Sequence, residues 1–389
     1  MSERIKVIVW GLGAIGGGAV TELLRRPEFE LVGVVGYNPA KNGRDVGELL
    51  GRDPIGLKLT TDKESVFAME ADCVLWCGNL PLGAIADAMD ADVIRLLESG
   101  KNVVSIASYH FPPAHGEEFR KRLEDACWKG GSSLHGTGEN PGFWMERLAL
   151  TLTGLCTEVD TITLDEYSDC GTSGTQKEIY NAIGFGVSEQ QARTSSPLAE
   201  FWKTFYYIES MNIASLSLWG RRLDRFEHKP FYHLAEKEFI LERTKGDRID
   251  MHVPKGYVKA MTHHFHGYLD DEIRLTIRCN WFLTPAFTPF DREDSTWEIE
   301  IEAKPISIKS TIRALAAIKD NTEFRPGDKT SPTWWATIIP AIQAIPMVCA
   351  AEPGFVFPTI FTNAVPDLRT LATRTSVIDY ATPVGLGRN

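Results

Sequence analysis

The chain has no uninterrupted apolar run of the roughly 18 residues that a membrane-spanning helix needs. Its seven cysteines are scattered. The closest pair, Cys73 and Cys77, has three residues between it, where zinc and redox motifs have two, so all seven are read as reduced thiols, mostly buried. There is no excess of basic residues: the net charge is −11 and comes from dispersed Asp and Glu, with no acidic tail, which argues against nucleic acid as a partner. No internal repeat or low-complexity segment occurs. The N-terminal MSERIKVIVW enters a strand-like run with no apolar leader and no small-residue cleavage site, which points to the cytoplasm. What is present is an ordinary globular composition, 43 % apolar and 24 % charged over 389 residues, enough for two domains.

From Ile5 to about His135, short apolar runs alternate with helical stretches. IKVIVW, FELVGVVG, DCVLWC, NVVSIA and SSLHG read as strands; AIGGGAVTELLRR, LGAIADAMDADVIRLLESG and GEEFRKRLEDACWKG read as helices. Strands that are apolar throughout and separated by amphipathic helices predict a doubly wound α/β parallel sheet, covered on both faces. Beyond about Pro141 the texture changes to TEVDTITLDEYSD, a hairpin bent near Gly267 to Glu272, and STWEIEIEAKPISI, which predict a mostly antiparallel sheet in an α+β domain. Glu189 to Trp219 reads as helix loaded with Phe201, Trp202, Phe205, Tyr206, Tyr207 and Trp219. Such a stripe suits a core or dimer interface, or a pocket for a bulky apolar substrate. SPTWWATIIPAIQAIPMVCAAEPG carries Pro340 and Pro346, which predict a kinked or broken last helix. The expected division is a nucleotide-binding domain over 1–145, a substrate and dimerisation domain over 146–330, and a C-terminal helix and tail over 331–389 that packs back on the first.

Gly11, Gly13 and Gly16 form GLGAIG directly after the first strand and at the start of the first helix. The first glycine allows a tight turn, the second lets backbone approach a pyrophosphate, and the helix start offers unpaired N–H groups; Ala14 and Ile15 contribute to that start. NAD-specific folds place a carboxylate at the end of the second strand to bind the ribose. Here that strand ends in Gly36-Tyr37-Asn38-Pro39, and the next loop carries Lys41 and Arg44, either neutralising a 2′-phosphate or merely solvated. This favours NADP, with NAD possible. Asn38 and the stretch Cys77-Gly78-Asn79, at the end of the third strand, are expected to line the same cofactor crevice.

Together, VIVWGLGAIGGGAVTELLRRPEFELVGVVGYNPAKNGRDVGEL, HGTGENPGF and IPMVCAAEPGFVFPTIF resemble the dihydrodipicolinate-reductase-like oxidoreductases, most closely their 2,4-diaminopentanoate and native amine dehydrogenase branch. The resemblance implies a homodimeric NAD(P)-dependent enzyme passing hydride between nicotinamide and an amine or imine carbon. It also places Asn140, Pro141, Gly142 and Phe143 against the nicotinamide. In that branch a glutamate that binds the amine follows the strand matching VVSIA; the matching residues here are Ser108, Tyr109 and His110.

Ligands of open α/β sheets bind beyond the carboxyl ends of the strands, where Ser108 to His110 lie. Tyr109 and His110 are chemically competent to protonate a reduced carbonyl or imine; alternatively Tyr109 packs on a helix and His110 faces solvent. Glu139 either supplies the missing carboxylate or is a helix-start acid. Glu166, Tyr167 and Ser168, with Ser108, are candidate substrate contacts. His263, His264 and His266 read as strand histidines facing solvent or a pocket wall, and no metal site is expected. The expected activity is hydride transfer to or from a C=O or C=N carbon of a bulky, apolar small molecule. A lyase or isomerase retaining bound NAD(P), or an NADP-sensing non-enzyme, shares these features.

Overall fold

The computed structural model describes residues 4–78, 84–106, 108–172, 183–195, 206–242, 250–283, 289–292, 295–315, 332–358 and 367–370. They form two compact units, the first built from the chain up to Phe143 together with the returning segment at 332–358, the second from Trp144 onward. Phe201, Trp202, Phe205 and Asn79 lie outside the described residues.

The first unit is a six-stranded parallel sheet of β1 (Ile5–Trp10), β2 (Phe29–Val35), β3 (Cys73–Trp76), β4 (Asn102–Ser105), β5 (Ser133–Gly136) and a short terminal strand, Gly354–Phe355. The order from one edge is Gly354–Phe355, β5, β4, β3, β1, β2. The chain therefore reverses direction of winding between β1 and β3, the crevice where doubly wound sheets bind ligands. β3 and β5 are buried at every residue, as strands covered on both faces must be. The edge strand was not legible: two residues of GFVFP carry no period, and pairing with β5 depends on the returning chain.

The last helix is neither broken nor shortened by its prolines; it runs unbroken over Pro332–Cys349 with Pro340 and Pro346 inside. The physical reason is burial. Ile338, Ile342, Ile345 and Val348 pack into one cluster with Val7, Val9 and Leu75 of the sheet and with Ala19, Val20 and Leu23 of the helix Ala14–Arg25. Four such side chains, at roughly 1.5–3 kcal/mol each, offset two interior prolines at about 3 kcal/mol each.

The second unit carries a six-stranded mixed sheet. Its strands are β6 (Glu158–Asp169), β7 (Arg225–Leu234), β10 (Val258–Leu269), β11 (Glu272–Phe282), β12 (Thr296–Lys304) and β13 (Ile308–Arg313); β8 (Phe239–Leu241) and β9 (Met251–Val253) pair separately. The order is β13-β12-β6-β11-β10-β7, antiparallel except where β11 runs parallel to β6. The helix Tyr207–Trp219 lies in the core of this unit: Tyr207 packs on Phe265 with ring centroids 4.3 Å apart. Of the described part of the aromatic stripe, Tyr207 is core, while Tyr206 and Trp219 are half-buried.

The hairpin between β10 and β11 turns at Asp270 and Asp271, both with positive φ (54° and 62°), the geometry of a two-residue type I′ turn. Glycine adopts that conformation without the Cβ penalty. Asp271→Gly is expected to stabilise the second unit by about 0.5–1 kcal/mol, and a calorimetric melt in which Tm falls would contradict this reading of the turn.

Candidate active site

The three glycines after β1 do three different things. Gly11 has φ 107°, and a Cβ there would lie 2.4 Å from the Cys77 carbonyl oxygen and 2.9 Å from the Gly78 Cα. A Cβ at Gly16 would lie 1.8 Å from the Gly11 carbonyl oxygen, so the helix is pressed directly onto its own entry turn. At Gly13 a Cβ would meet nothing within 4 Å. That openness lies at the N-terminus of the helix Ala14–Arg25, which has no side-chain cap and no acidic residue in its first turn. Unpaired N–H groups, a positive dipole end and space for a close approach fit the pyrophosphate of a dinucleotide. Ala14 and Ile15 form that first turn.

Cys77 and Gly78 close the opposite wall, with the Cys77 N–H donating to the Trp10 carbonyl at 2.8 Å. Burial pushes the Cys77 thiol up to about 12, so it stays protonated. Behind them Trp10 and Trp76 stack at 5.0 Å. A residue that sequence reasoning passed over, Tyr37, brings its hydroxyl to within 2.5 Å of where a Gly78 Cβ would lie, and its ring is 43 % exposed. The only sequence signal was its place two residues past the end of β2.

After β2, the Asn38 side chain accepts from the Ala40 N–H and starts a short turn over Pro39–Lys41. Lys41 is half-buried and Arg44 exposed, and neither side chain is ion-paired among the described residues. The carboxylate next in sequence, Asp45, is already used: Oδ1 accepts from the N–H groups of Gly47, Ile55 and Glu48, and Oδ2 from that of Gly56.

The β4 and β5 ends abut. Thr137 N–H donates to the Ser105 carbonyl at 2.8 Å, and a Cβ at Gly136 would lie 2.3 Å from the His110 backbone N. A Cβ at Gly138 would lie 3.7 Å from the Ile106 carbonyl oxygen, and one at Gly142 (φ 123°) 2.2 Å from the Gly138 N. The Glu139 to Phe143 segment is therefore a tight loop, closed by the Phe143 N–H donating to the Glu139 carbonyl and containing a cis Asn140-Pro141 bond. Asn140, Pro141 and Gly142 are buried, Glu139 and Phe143 half-buried. His135 points its Nδ1 at the Val356 carbonyl, 2.7 Å away. Ser108 and His110 are buried beside this loop.

Tyr109 goes elsewhere. Its φ is 67°, its side chain is 1 % exposed, its hydroxyl donates to Asp90 at 2.6 Å, and its ring stacks on Phe119. Of the two readings open at this position, the packed one describes where the side chain is.

In the second unit, Glu166, Tyr167 and Ser168 cannot act together, because alternate strand residues face opposite sides of the sheet. Glu166 is 4 % exposed and accepts from the Trp281 and Trp297 indoles at 2.6 and 3.4 Å. Tyr167 sits on the other face, edge-on to Phe290 at 6.0 Å. Ser168 is half-buried. His264 and His266 are half-buried on one face, as alternation requires. His263 departs from expectation: it is fully buried, bonded through Nδ1 to His228 Nε2 at 2.8 Å, and burial holds it well below the usual histidine range. Among the described residues no group of three or more His, Cys, Asp or Glu is placed to hold a metal ion.

Residues 5–75 match the model of the dihydrodipicolinate reductase N-terminus. An amine dehydrogenase of Streptomyces virginiae is 34 % identical over 365 residues, covering 90 % of this chain and 94 % of that one. A 2,4-diaminopentanoate dehydrogenase of Acetoanaerobium sticklandii is 33 % identical over 199 residues, 48 % of this chain and 53 % of that protein. Among solved structures, an amine dehydrogenase from Mycobacterium smegmatis superposes with a TM-score of 0.72 at 19 % identity, covering 94 % of this chain and 99 % of that one, a likeness of fold.

The glycine geometry separates binding from folding. Gly13→Ala should leave Tm unchanged while weakening dinucleotide binding about tenfold or more. Gly16→Ala should lose the folded first unit outright, because the atom it must displace is backbone. Equal Tm for the two variants, or unaltered dinucleotide affinity in Gly13→Ala by titration calorimetry, would refute this division.

Proposed function

The chain belongs to the dihydrodipicolinate-reductase-like NAD(P)-dependent oxidoreductases, in the branch of the amine dehydrogenases, and from that premise we propose that it interconverts an amine and its ketone with NADP as the hydride partner. The bound nicotinamide supplies or accepts the hydride; the protein binds, orients and handles the protons. Gly11, Gly13, Gly16 and the first helical turn would hold the pyrophosphate, and Lys41 and Arg44 a 2′-phosphate.

The place of Glu139 carries the amine reading. It follows Gly138, which is packed on Ile106, so its carboxylate is supplied from the strand end next to the one where the resembled enzymes carry their glutamate. A carboxylate there would pair with an ammonium through charge-assisted hydrogen bonds. His110, buried at the neighbouring strand end, is assigned the proton transfer, and Tyr109, committed to Asp90, is left out of it. The second unit is assigned to the substrate, and the grouping of Tyr167, Phe290 and His233 supports a bulky, apolar one.

The reading includes a cytoplasmic homodimer. One row across the sheet of the second unit sets Lys229 and Arg278 on one half and Asp165 and Glu298 on the other. These charges are already paired within the chain, Arg278 with Asp165 at 2.7 Å, Arg292 with Glu298 at 2.7 Å and Lys229 with Glu227 at 3.0 Å, so the dimer rests on the resemblance. Among the described residues no helix is long and apolar enough to cross a membrane.

Glu139→Gln is expected to cut kcat/KM for reductive amination of a cyclic ketone, with ammonia and NADPH, by about 10²–10⁴ while leaving NADPH affinity unchanged. Formation of alcohol alone by the unmodified enzyme would overturn the amine reading. Removing both Lys41 and Arg44 as alanines should weaken NADPH by roughly tenfold or more and leave NADH nearly unaffected. Equal losses for the two cofactors would show that these cations are solvated loop charges.

A further inference from the structure

The first unit is assembled from two pieces of chain far apart in sequence, and a thiol pair stands where they meet. Cys73 opens β3, and Cys349 ends the helix Pro332–Cys349. Both belong to one packed cluster, Cys73 fully buried and Cys349 half-buried at its margin. The Cys349 Sγ lies 3.9 Å from the carbonyl oxygen of Asp72, the residue before Cys73, and that oxygen also accepts from Asn102 Nδ2 at 2.8 Å. Cys349 is therefore held against the backbone that carries Cys73, at the cluster to which both side chains belong.

We propose that Cys73 and Cys349 form a reversible disulfide when the protein meets a peroxide, clasping the last helix to the parallel sheet. The Cys349 thiolate attacks hydrogen peroxide; a sulfur–oxygen bond forms, the peroxide bond breaks and hydroxide leaves, giving a sulfenic acid. The Cys73 sulfur then attacks that sulfur, the disulfide forms, and the oxygen leaves as water with the Cys73 proton. In sum two thiols and one peroxide give one disulfide and two waters. The roles follow from the placement: Cys349 is the more accessible thiol, and the neighbouring Cys73 thiol holds it below the usual thiol range, while Cys349 and burial together drive Cys73 well above it. Cys77 and Cys127, raised by burial to about 12, stay protonated and unreactive.

The clasp lies at the amino end of β3, whereas the glycine loop and Cys77-Gly78 lie at its carboxyl end. Oxidation therefore acts on the cohesion of the unit and leaves the cofactor crevice open. The closed loop contains residues 144–315 of the second unit, so the constraint on the unfolded chain is large.

The test treats the full-length protein with about one equivalent of hydrogen peroxide and maps non-reduced peptides by mass spectrometry. The expected result is a peptide joining residues 73 and 349, a Tm raised by roughly 5 °C or more, reversal of both by dithiothreitol, and loss of the crosslink in Cys349→Ser. Sulfinic acid at Cys349 with Cys73 still a thiol would overturn the proposal, as would a bridge from Cys349 to any other cysteine or to a second chain. These mapping outcomes are read on the unmodified protein, so they stand even where Cys349→Ser folds poorly.

Discussion

Three backbone segments meet at the carboxyl end of β1 with no room for a side chain between them: the turn at Gly11, the start of the following helix at Gly16, and the chain leaving β3 at Cys77. Their closeness decides the rest of the crevice. Because Gly16 lets the helix begin against its own entry turn, the helix N-terminus faces outward from the sheet with its N–H groups unspent. Because Gly11 lies against Cys77 and Gly78, β1 and β3 end level, and the reversal of winding between them opens a slot. The same contact is braced from behind by the Trp10 and Trp76 stack and by hydrogen bonds from Gly11 to Val35 and from Cys77 to Trp10.

The construction repeats one strand over. Gly136 admits the backbone of Tyr109 and His110, Gly138 lies over Ile106, and Gly142 closes on Gly138. At both places backbone packed against backbone sets the position, and the chemically able side chains hang from it. Such positions are stiff, since backbone cannot give way by a rotamer change as a side chain can. A carboxylate on the second of these loops is thus presented by a rigid support although it lies outside regular structure.

This explains what could be read from the sequence and what could not. The parallel strands were legible because burial on both faces leaves them apolar throughout, and the hairpin at Asp270-Asp271 because two short acidic residues interrupt two alternating runs. The direction of Tyr109 was not, because a positive φ at a non-glycine residue reverses the alternation by which side chains at a strand end are assigned. Glu166 was read as a pocket acid because its two indole donors come from β11 and β12, more than a hundred residues away along the chain. The last helix misled in the opposite sense: the local cost of proline is fixed by chemistry, whereas the burial that outweighs it is tertiary.

Net charge is a poor guide to this crevice for a related reason. A chain carrying −11 overall would repel a dinucleotide phosphate if its acids were distributed evenly. Burial pushes Asp45 upward, but the four backbone N–H groups that it accepts outweigh that and hold it below the usual carboxylate range, ionised and already surrounded by donors. The first turn of the helix Ala14–Arg25 carries no acid. What is left facing outward along this edge is the positive end of a helix and two cations, Lys41 and Arg44, with no ion-pair partner among the described residues. What a phosphate meets here is set by which acids are spent on the backbone and which cations are left unpaired, more than by the molecule's total charge.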